Sequence, residues 1–301
     1  MIAIFGAGPG LGVSIAQRFA PEGFRVALVA RRKDRLDALV DQLSAEVIDT
    51  AGFTADLSVP KEIPTVIEAI RERFGRIDVV EYGPIPSTGF TPAAELAPDT
   101  LSQGIPLLVL TPLAVVQSVL PEWTERGDGA FLMTTGATAV HPRPHASGVG
   151  PLMAAARNWL YSLNGELAES GIYAGTLSVA AFIGGSEAAE AAGASEPTAA
   201  FPVVDPVDLA SLYWDMYTKR DRVEEVYPDF KTGCHTTLAP LGVRLRPSPV
   251  PRPQPHSWRD MPDACRKADP GARTAPLPSV VGGGGRPPPP PPPHPTPPTP
   301  R

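Results

Sequence analysis

The residues best placed to do chemistry lie at the start of the chain. Gly6, Gly8, Gly10 and Gly12, in Gly6-Ala7-Gly8-Pro9-Gly10-Leu11-Gly12, follow the apolar run Ile2–Phe5 and precede a helix-period stretch near Leu11–Ala20. Glycines at such a turn let the chain reverse tightly and bring backbone N–H groups and a helix N-terminus against a pyrophosphate. The spacing of Gly6, Gly10 and Gly12 is GxxxGxG rather than GxGxxG, and the chemistry is the same. About twenty residues on, a dinucleotide-binding unit places the group that reads the adenosine ribose. This sequence offers Ala30-Arg31-Arg32 there. A carboxylate at that place accepts from ribose hydroxyls, whereas guanidinium groups pair with a 2′-phosphate, so NADP(H) is expected in preference to NAD(H). Asp56, in Ala55-Asp56-Leu57, is placed to accept from an adenine amino group. Gly8, Leu11, Leu57 and Gly83 complete the candidate cofactor set.

The elements that must position these residues alternate at a regular pace. Strands are predicted at Ile2–Phe5, Phe24–Ala30, Ala51–Ala55, Ile77–Tyr82, Ala130–Thr135 and Tyr173–Val179. Helices are predicted at Leu11–Ala20, Asp34–Glu46, Lys61–Phe74, Thr100–Arg126, Pro151–Ser170 and Val207–Lys219, with Pro106 and Pro112 interrupting the fourth. Strand–helix alternation implies right-handed crossovers and a doubly wound parallel α/β sheet. The Ala-, Gly- and Ser-rich stretch Gly184–Pro206 breaks the alternation and is expected as a loop that could cover a ligand.

Taken as a set, the glycine turn at 6–12, Val26-Ala-Leu-Val-Ala-Arg-Arg32, Ala55-Asp-Leu57 and Gly75-Arg-Ile-Asp78 resemble the short-chain dehydrogenase/reductase family through about residue 230. The resemblance implies a Rossmann sheet of about seven strands. It also implies a homodimer or homotetramer built on the long helices, and hydride transfer between NADP(H) and a small carbonyl or alcohol. The family's Tyr-xxx-Lys pair would fall on Val149 and Met153, its Ser on Gly136 and its Asn on Leu108. Its NNAG signature becomes Tyr82-Gly-Pro-Ile85. No Tyr-xxx-Lys occurs in residues 130–170, and Tyr161 is followed four residues later by Gly165. A valine and a methionine exchange no protons, so the family's usual proton transfer is excluded.

Three readings follow, of which the first, acting on a small carbonyl or alcohol, is expected ahead of the other two. One is a non-standard oxidoreductase with a substitute acid, drawn from His141 and His145 in the loop Ala139–Gly148 or from Thr135, Thr138 and Tyr82. The second is a non-redox enzyme on the same scaffold. The third is a catalytically inactive, NADP-responsive binding or assembly protein. A ligand pocket filled by Leu108, Met153 and Phe182 would favour the third, and a polar pocket either enzyme.

Charge and composition narrow the partners. The formal charge is −6, yet Val243–Arg301 carries nine Lys/Arg against three Asp/Glu, which leaves the body near −12. An acidic body argues against nucleic acid. No unbroken run of about 18 apolar residues occurs, so no membrane span is expected and a cytoplasmic location is. Cys234 and Cys265 carry no ligand spacing, so neither a disulfide framework nor a metal site is expected. Roughly half of the 39 prolines lie beyond Arg246, ending in the run Pro287–Pro293. The expected division is a Rossmann domain over 1–241 and a disordered Pro/Gly-rich tail over 242–301. Deleting residues 243–301 is expected to leave the thermal midpoint nearly unchanged; a drop of many degrees in a calorimetric scan would show the tail packs on the domain.

Overall fold

The computed structural model describes residues 1–86, 90–193 and 202–229. The expected tail and both cysteines lie outside the described residues. The main sheet has seven parallel strands in the order β3-β2-β1-β4-β5-β6-β9: β1 Ile2–Phe5, β2 Val26–Ala30, β3 Thr50–Thr54, β4 Val79–Tyr82, β5 Gly129–Gly136, β6 Ile172–Val179 and β9 Glu224–Tyr227. β1 pairs with both β2 and β4, with Phe5 opposite Val29 and Tyr82. Strand order reverses across β1, the place where open α/β sheets leave a crevice at their carboxyl ends.

Strands covered on both faces read as near-continuous apolar runs, and β1, β4 and β6 are buried along their whole length, with Glu81, Thr176 and Ser178 as buried polar exceptions. One face is covered by α1 (Leu11–Phe19), α2 (Lys33–Ala45) and α8 (Pro206–Lys219). The other is covered by α3 (Ile63–Phe74), α5 (Thr111–Arg126) and α6 (Gly150–Leu167). Period-2 alternation decides which face each strand residue meets. Ala130, Leu132 and Thr134 of β5 point toward α8, and Phe131, Met133 and Thr135 toward α5 and α6.

Four details depart from the sequence expectations. The prolines at 106 and 112 do not break the fourth helical stretch. α4 (Pro98–Ile105) runs through a π-helical segment, Pro106–Leu110, into α5, and this widened stretch accommodates Pro106 and Pro112, which have no N–H to donate. The whole helix Pro98–Arg126 is also long and apolar enough, by length and composition, to cross a membrane. Ser102, Gln103, Thr111 and Gln117 break up the apolar run, which is why a search for unbroken runs passes over it. One of its faces packs in the core through Val115, Val119 and Trp123, whose indole N–H donates to the Ile77 carbonyl at 2.9 Å.

Third, Gly184–Pro206 is not all loop. It holds α7 (Glu187–Gly193), flanked by a two-stranded pairing of β7 (Phe182–Ile183) with β8 (Val203–Val204). Fourth, β9 was not among the strands expected, because Glu224-Glu225-Val226-Tyr227 has no apolar alternation. Side-chain bonding ties it down. Arg157 of α6 donates to Glu224 through Nε at 2.9 Å, and Tyr161 and Ser178 donate to the same carboxylate at 2.7 Å each. Burial opposes the charge on Glu224, but these donors outweigh it and hold the carboxyl below its usual range.

Candidate functional site

The candidate cofactor residues gather along the carboxyl edge of β1–β4. Gly6 ends β1 with φ +86°, a conformation L side chains rarely adopt, and a Cβ there would lie 2.6 Å from the Pro84 nitrogen. Its N–H and that of Ala7 donate to the Val29 carbonyl at 2.9 and 3.1 Å, which pins the turn to β2. Gly10 precedes α1 without any side-chain cap, and Leu11 opens the helix. The Val13 amide donates to the Gly8 carbonyl at 3.2 Å, and the turn lies at the positive end of the helix dipole, where an anion is favoured. A Cβ on Gly10 would come within 2.6 Å of the Gly184 carbonyl, and one on Gly12 within 3.1 Å of the Ala7 Cα. Gly8 has open space beside it. The cradle thus needs glycine at 6, 10 and 12 for steric reasons.

Arg31 is exposed just past β2, and Arg32 precedes α2 in extended conformation. Asp56 accepts from the Ser58 hydroxyl at 2.6 Å and the Ser58 amide at 2.9 Å, both on Oδ1. Those two bonds, with Arg31 nearby, hold its carboxyl below the usual range, so it is an acceptor at neutral pH. Leu57 is buried, and its carbonyl accepts from the Thr111 hydroxyl at 2.7 Å. The Gly83 amide donates to the Phe5 carbonyl at 2.9 Å, and a Cβ there would lie 2.6 Å from Glu81 Oε1.

The candidate acids fare differently. Tyr82 is fully buried, its hydroxyl donates to the Leu107 carbonyl, and burial pushes its pKa far up. Thr135 is buried on the α6 face, its hydroxyl 2.8 Å from Ser178 Oγ and 3.1 Å from Thr176 Oγ1. Both hydroxyls are bonded within the protein core. Thr138 is half-buried and faces Gly150, whose Cβ would lie 3.3 Å from its hydroxyl. His141 and His145 are exposed on the loop, His145 with φ 63°.

Where the resemblance implies the proton-transfer residues, the structure is apolar. Leu108, Leu152 and Met153 form one buried cluster, with Val149, Leu107 and Ala139 packed against it. The Gly136 amide donates to the Met153 sulfur at 3.1 Å. Phe182 is half-buried, its ring 6.5 Å from that of Phe90. Beside Val149 lies a cavity of about 170 Å³, lined in part by Pro86, Thr100, Gln103 and Gly104.

Two features escaped the sequence reading. Glu81 lies inside the sheet, facing α8. Its Oε1 accepts from the Thr134 hydroxyl at 2.8 Å, and Thr134 lies 2.6 Å from the Tyr213 hydroxyl. Burial pushes the Glu81 carboxyl up to about 8, against the pull of the Thr134 bond. A lone glutamate in Val79-Val80-Glu81-Tyr82 was its signal. The other is an ion-pair cluster in which Glu187 of α7 meets both Arg32 and Arg35. Arg35 was legible as the residue one helical turn after Arg32; Glu187 was hidden in an Ala-rich segment.

Comparison with known proteins gives a consistent set of likenesses. A family model described as short chain dehydrogenase matches residues 1–185. An uncharacterized oxidoreductase of Staphylococcus epidermidis is 26% identical over 174 residues, 56% of this chain and 72% of that protein. Sulfoacetaldehyde reductase 2 of Chromohalobacter salexigens is 29% identical over 178 residues, 57% and 68% of the two chains. Among solved structures, a short chain oxidoreductase of Pseudomonas aeruginosa PAO1 with NADPH bound, described as containing an atypical catalytic center, has a TM-score of 0.66. It is 16% identical and spans 77% of this chain and 97% of that one. L-Sorbose reductase of Gluconobacter frateurii, complexed with NADPH and L-sorbose, has a TM-score of 0.61 at 22% identity over 73% and 90%.

Proposed function

Because this chain belongs to the short-chain dehydrogenase family, we propose that it binds NADP(H) along the carboxyl edge of β1–β4 and that cofactor binding, without ordinary carbonyl–alcohol interconversion, is its function. The observation that carries this reading is the buried Leu108–Leu152–Met153 cluster, with Val149 packed against it and the Gly136 amide on the Met153 sulfur; the resemblance implies Asn, Tyr, Lys and Ser at 108, 149, 153 and 136. When bound, NADPH supplies a hydride. Carbonyl reduction also needs a proton at the oxygen, and none of these side chains carries one to give. The cradle is a separate matter. Gly6, Gly10 and Gly12 let the turn pack tightly against Pro84, Gly184 and Ala7, Gly8 has open space beside it, and the α1 N-terminus favours an anion such as a pyrophosphate; Arg31 and Arg32 suit a 2′-phosphate, and Asp56 offers an acceptor for adenine. Relatives solved with NADPH bound support the choice of nucleotide.

The protein so read is a nucleotide-responsive binding partner. Self-association through the outer faces of α4–α6 is part of the proposal, since Ile105, Leu110 and Tyr161 are exposed there. A redox enzyme with a substitute donor is the second reading, favoured by the half-buried Thr138 and by the cavity beside Val149.

The deciding experiment mixes the full chain with NADPH and a panel of small aldehydes and ketones and follows the nicotinamide absorbance. The expected result is binding without cofactor oxidation. Turnover that is lost in Thr138→Ala but kept in His145→Ala would establish the second reading with Thr138 as donor.

A further inference from the structure

Arg32, one of the two arginines assigned above to a 2′-phosphate, already holds an anion from its own chain together with Arg35. Glu187 is the first residue of α7, and the turn ahead of it is fixed. The Gly184 amide donates to the Val204 carbonyl at 2.9 Å, the Ser186 hydroxyl donates to the Ile183 carbonyl at 2.7 Å, and the Ala189 amide donates to Ser186 Oγ at 3.1 Å. That turn rests on the glycine cradle, with the Gly184 carbonyl 2.6 Å and the Ser186 amide nitrogen 3.3 Å from the position a Gly10 Cβ would take. The same segment delivers the Glu187 carboxylate between Arg32 and Arg35, which both pair with it. The neighbouring cation Lys33 is engaged elsewhere, on Asp37 at 2.8 Å. Arg32 and Arg35 are therefore organised around one acidic group at the end of β2.

We infer that Glu187 is a specificity-determining residue that occupies the 2′-phosphate subsite between Arg32 and Arg35 and must be displaced when NADPH binds. The inference rests on the nucleotide reading above. A phosphate monoester carries more charge than a carboxylate and more acceptor oxygens, so two guanidinium forks favour it over Glu187. Both cannot share the site, because two anions at close range repel. All three side chains are about half exposed, so the internal pairing is weak enough to be exchanged. NADH, lacking the phosphate, leaves Glu187 in place. The carboxylate thus lowers affinity for NADPH selectively and narrows its advantage over NADH.

The test compares the full-length wild-type chain with Glu187→Gln by calorimetric titration with NADPH, NADH and adenosine 2′,5′-bisphosphate. Far-ultraviolet circular dichroism checks that the exposed substitution leaves the fold intact. The expected result is an affinity gain of about tenfold for NADPH and for the bisphosphate, with NADH within about twofold. An equal gain for all three would overturn the inference, showing that Glu187 merely crowds the cleft. An unchanged or weaker NADPH affinity would overturn it while leaving the nucleotide reading standing. Failure of both proteins to bind any of the three would overturn both.

Discussion

Glu81→Gln is expected to flatten a steep loss of stability between about pH 5 and pH 8. The wild-type carboxyl is buried beneath Gly83 with a pKa pushed up to about 8 by burial, against 4.5 for an unperturbed glutamate. Within that window the folded chain keeps a proton that the unfolded chain has released. Stability therefore falls as pH rises, by roughly 1.4 kcal/mol per pH unit. The contribution is fully present below about 4.5 and is lost as pH rises through about 8. Glutamine keeps an acceptor for the Thr134 hydroxyl and has no charge to bury. The variant should thus match the wild type near pH 5 and exceed it by up to roughly 4 kcal/mol near pH 8. Denaturant titrations of both proteins across this range measure the difference directly, and other titrating groups cancel in it. Parallel curves would show that Glu81 ionises freely in the fold.

The joint variant Arg31→Ala/Arg32→Ala should lose NADPH affinity by about a hundredfold while NADH changes by no more than a few-fold. Each charge-assisted bond from a guanidinium to a phosphate contributes roughly 1.5–3 kcal/mol. The two residues stand at the end of β2, outside the core, so the fold should survive their loss. Equal losses for the two nucleotides would mean that the pair touches something both share, and the 2′-phosphate assignment would be wrong. The comparison with Glu187→Gln sharpens the reading, because removing Arg31 and Arg32 and removing the anion that Arg32 shares with Arg35 should move NADPH affinity in opposite directions.

Much of the scaffold was legible because its signals are local. Ile2–Phe5 followed at once by the glycine string marks a strand, a turn and a helix, and the arginine pair then falls where the second strand ends. Two of the candidate acids, Tyr82 and Thr135, lie in the core for a reason equally local. Strand side chains alternate, so Tyr82 shares the face of Val80, and Thr135 that of Phe131 and Met133. Both had to point into the core beneath α5 and α6. The same parity sends Glu81 to the opposite face, into an apolar layer with α8. What stayed illegible depends on contacts between distant segments. Glu224 is buried only because Arg157, Tyr161 and Ser178 meet it there. Glu187 acquires meaning only when α7 lies against α2. The packing of Leu108 against Met153 likewise joins a π-helical segment to α6, in one apolar cluster.

The central claim is that this chain binds a phosphorylated nicotinamide dinucleotide at the glycine cradle. The most direct test is calorimetric titration of the wild-type, full-length protein with NADPH and, separately, with NADH. The account predicts NADPH binding in about the micromolar range, with NADH at least about tenfold weaker. No heat and no saturation with either nucleotide would contradict it, and the glycine turn would then be a structural turn with no ligand of this class.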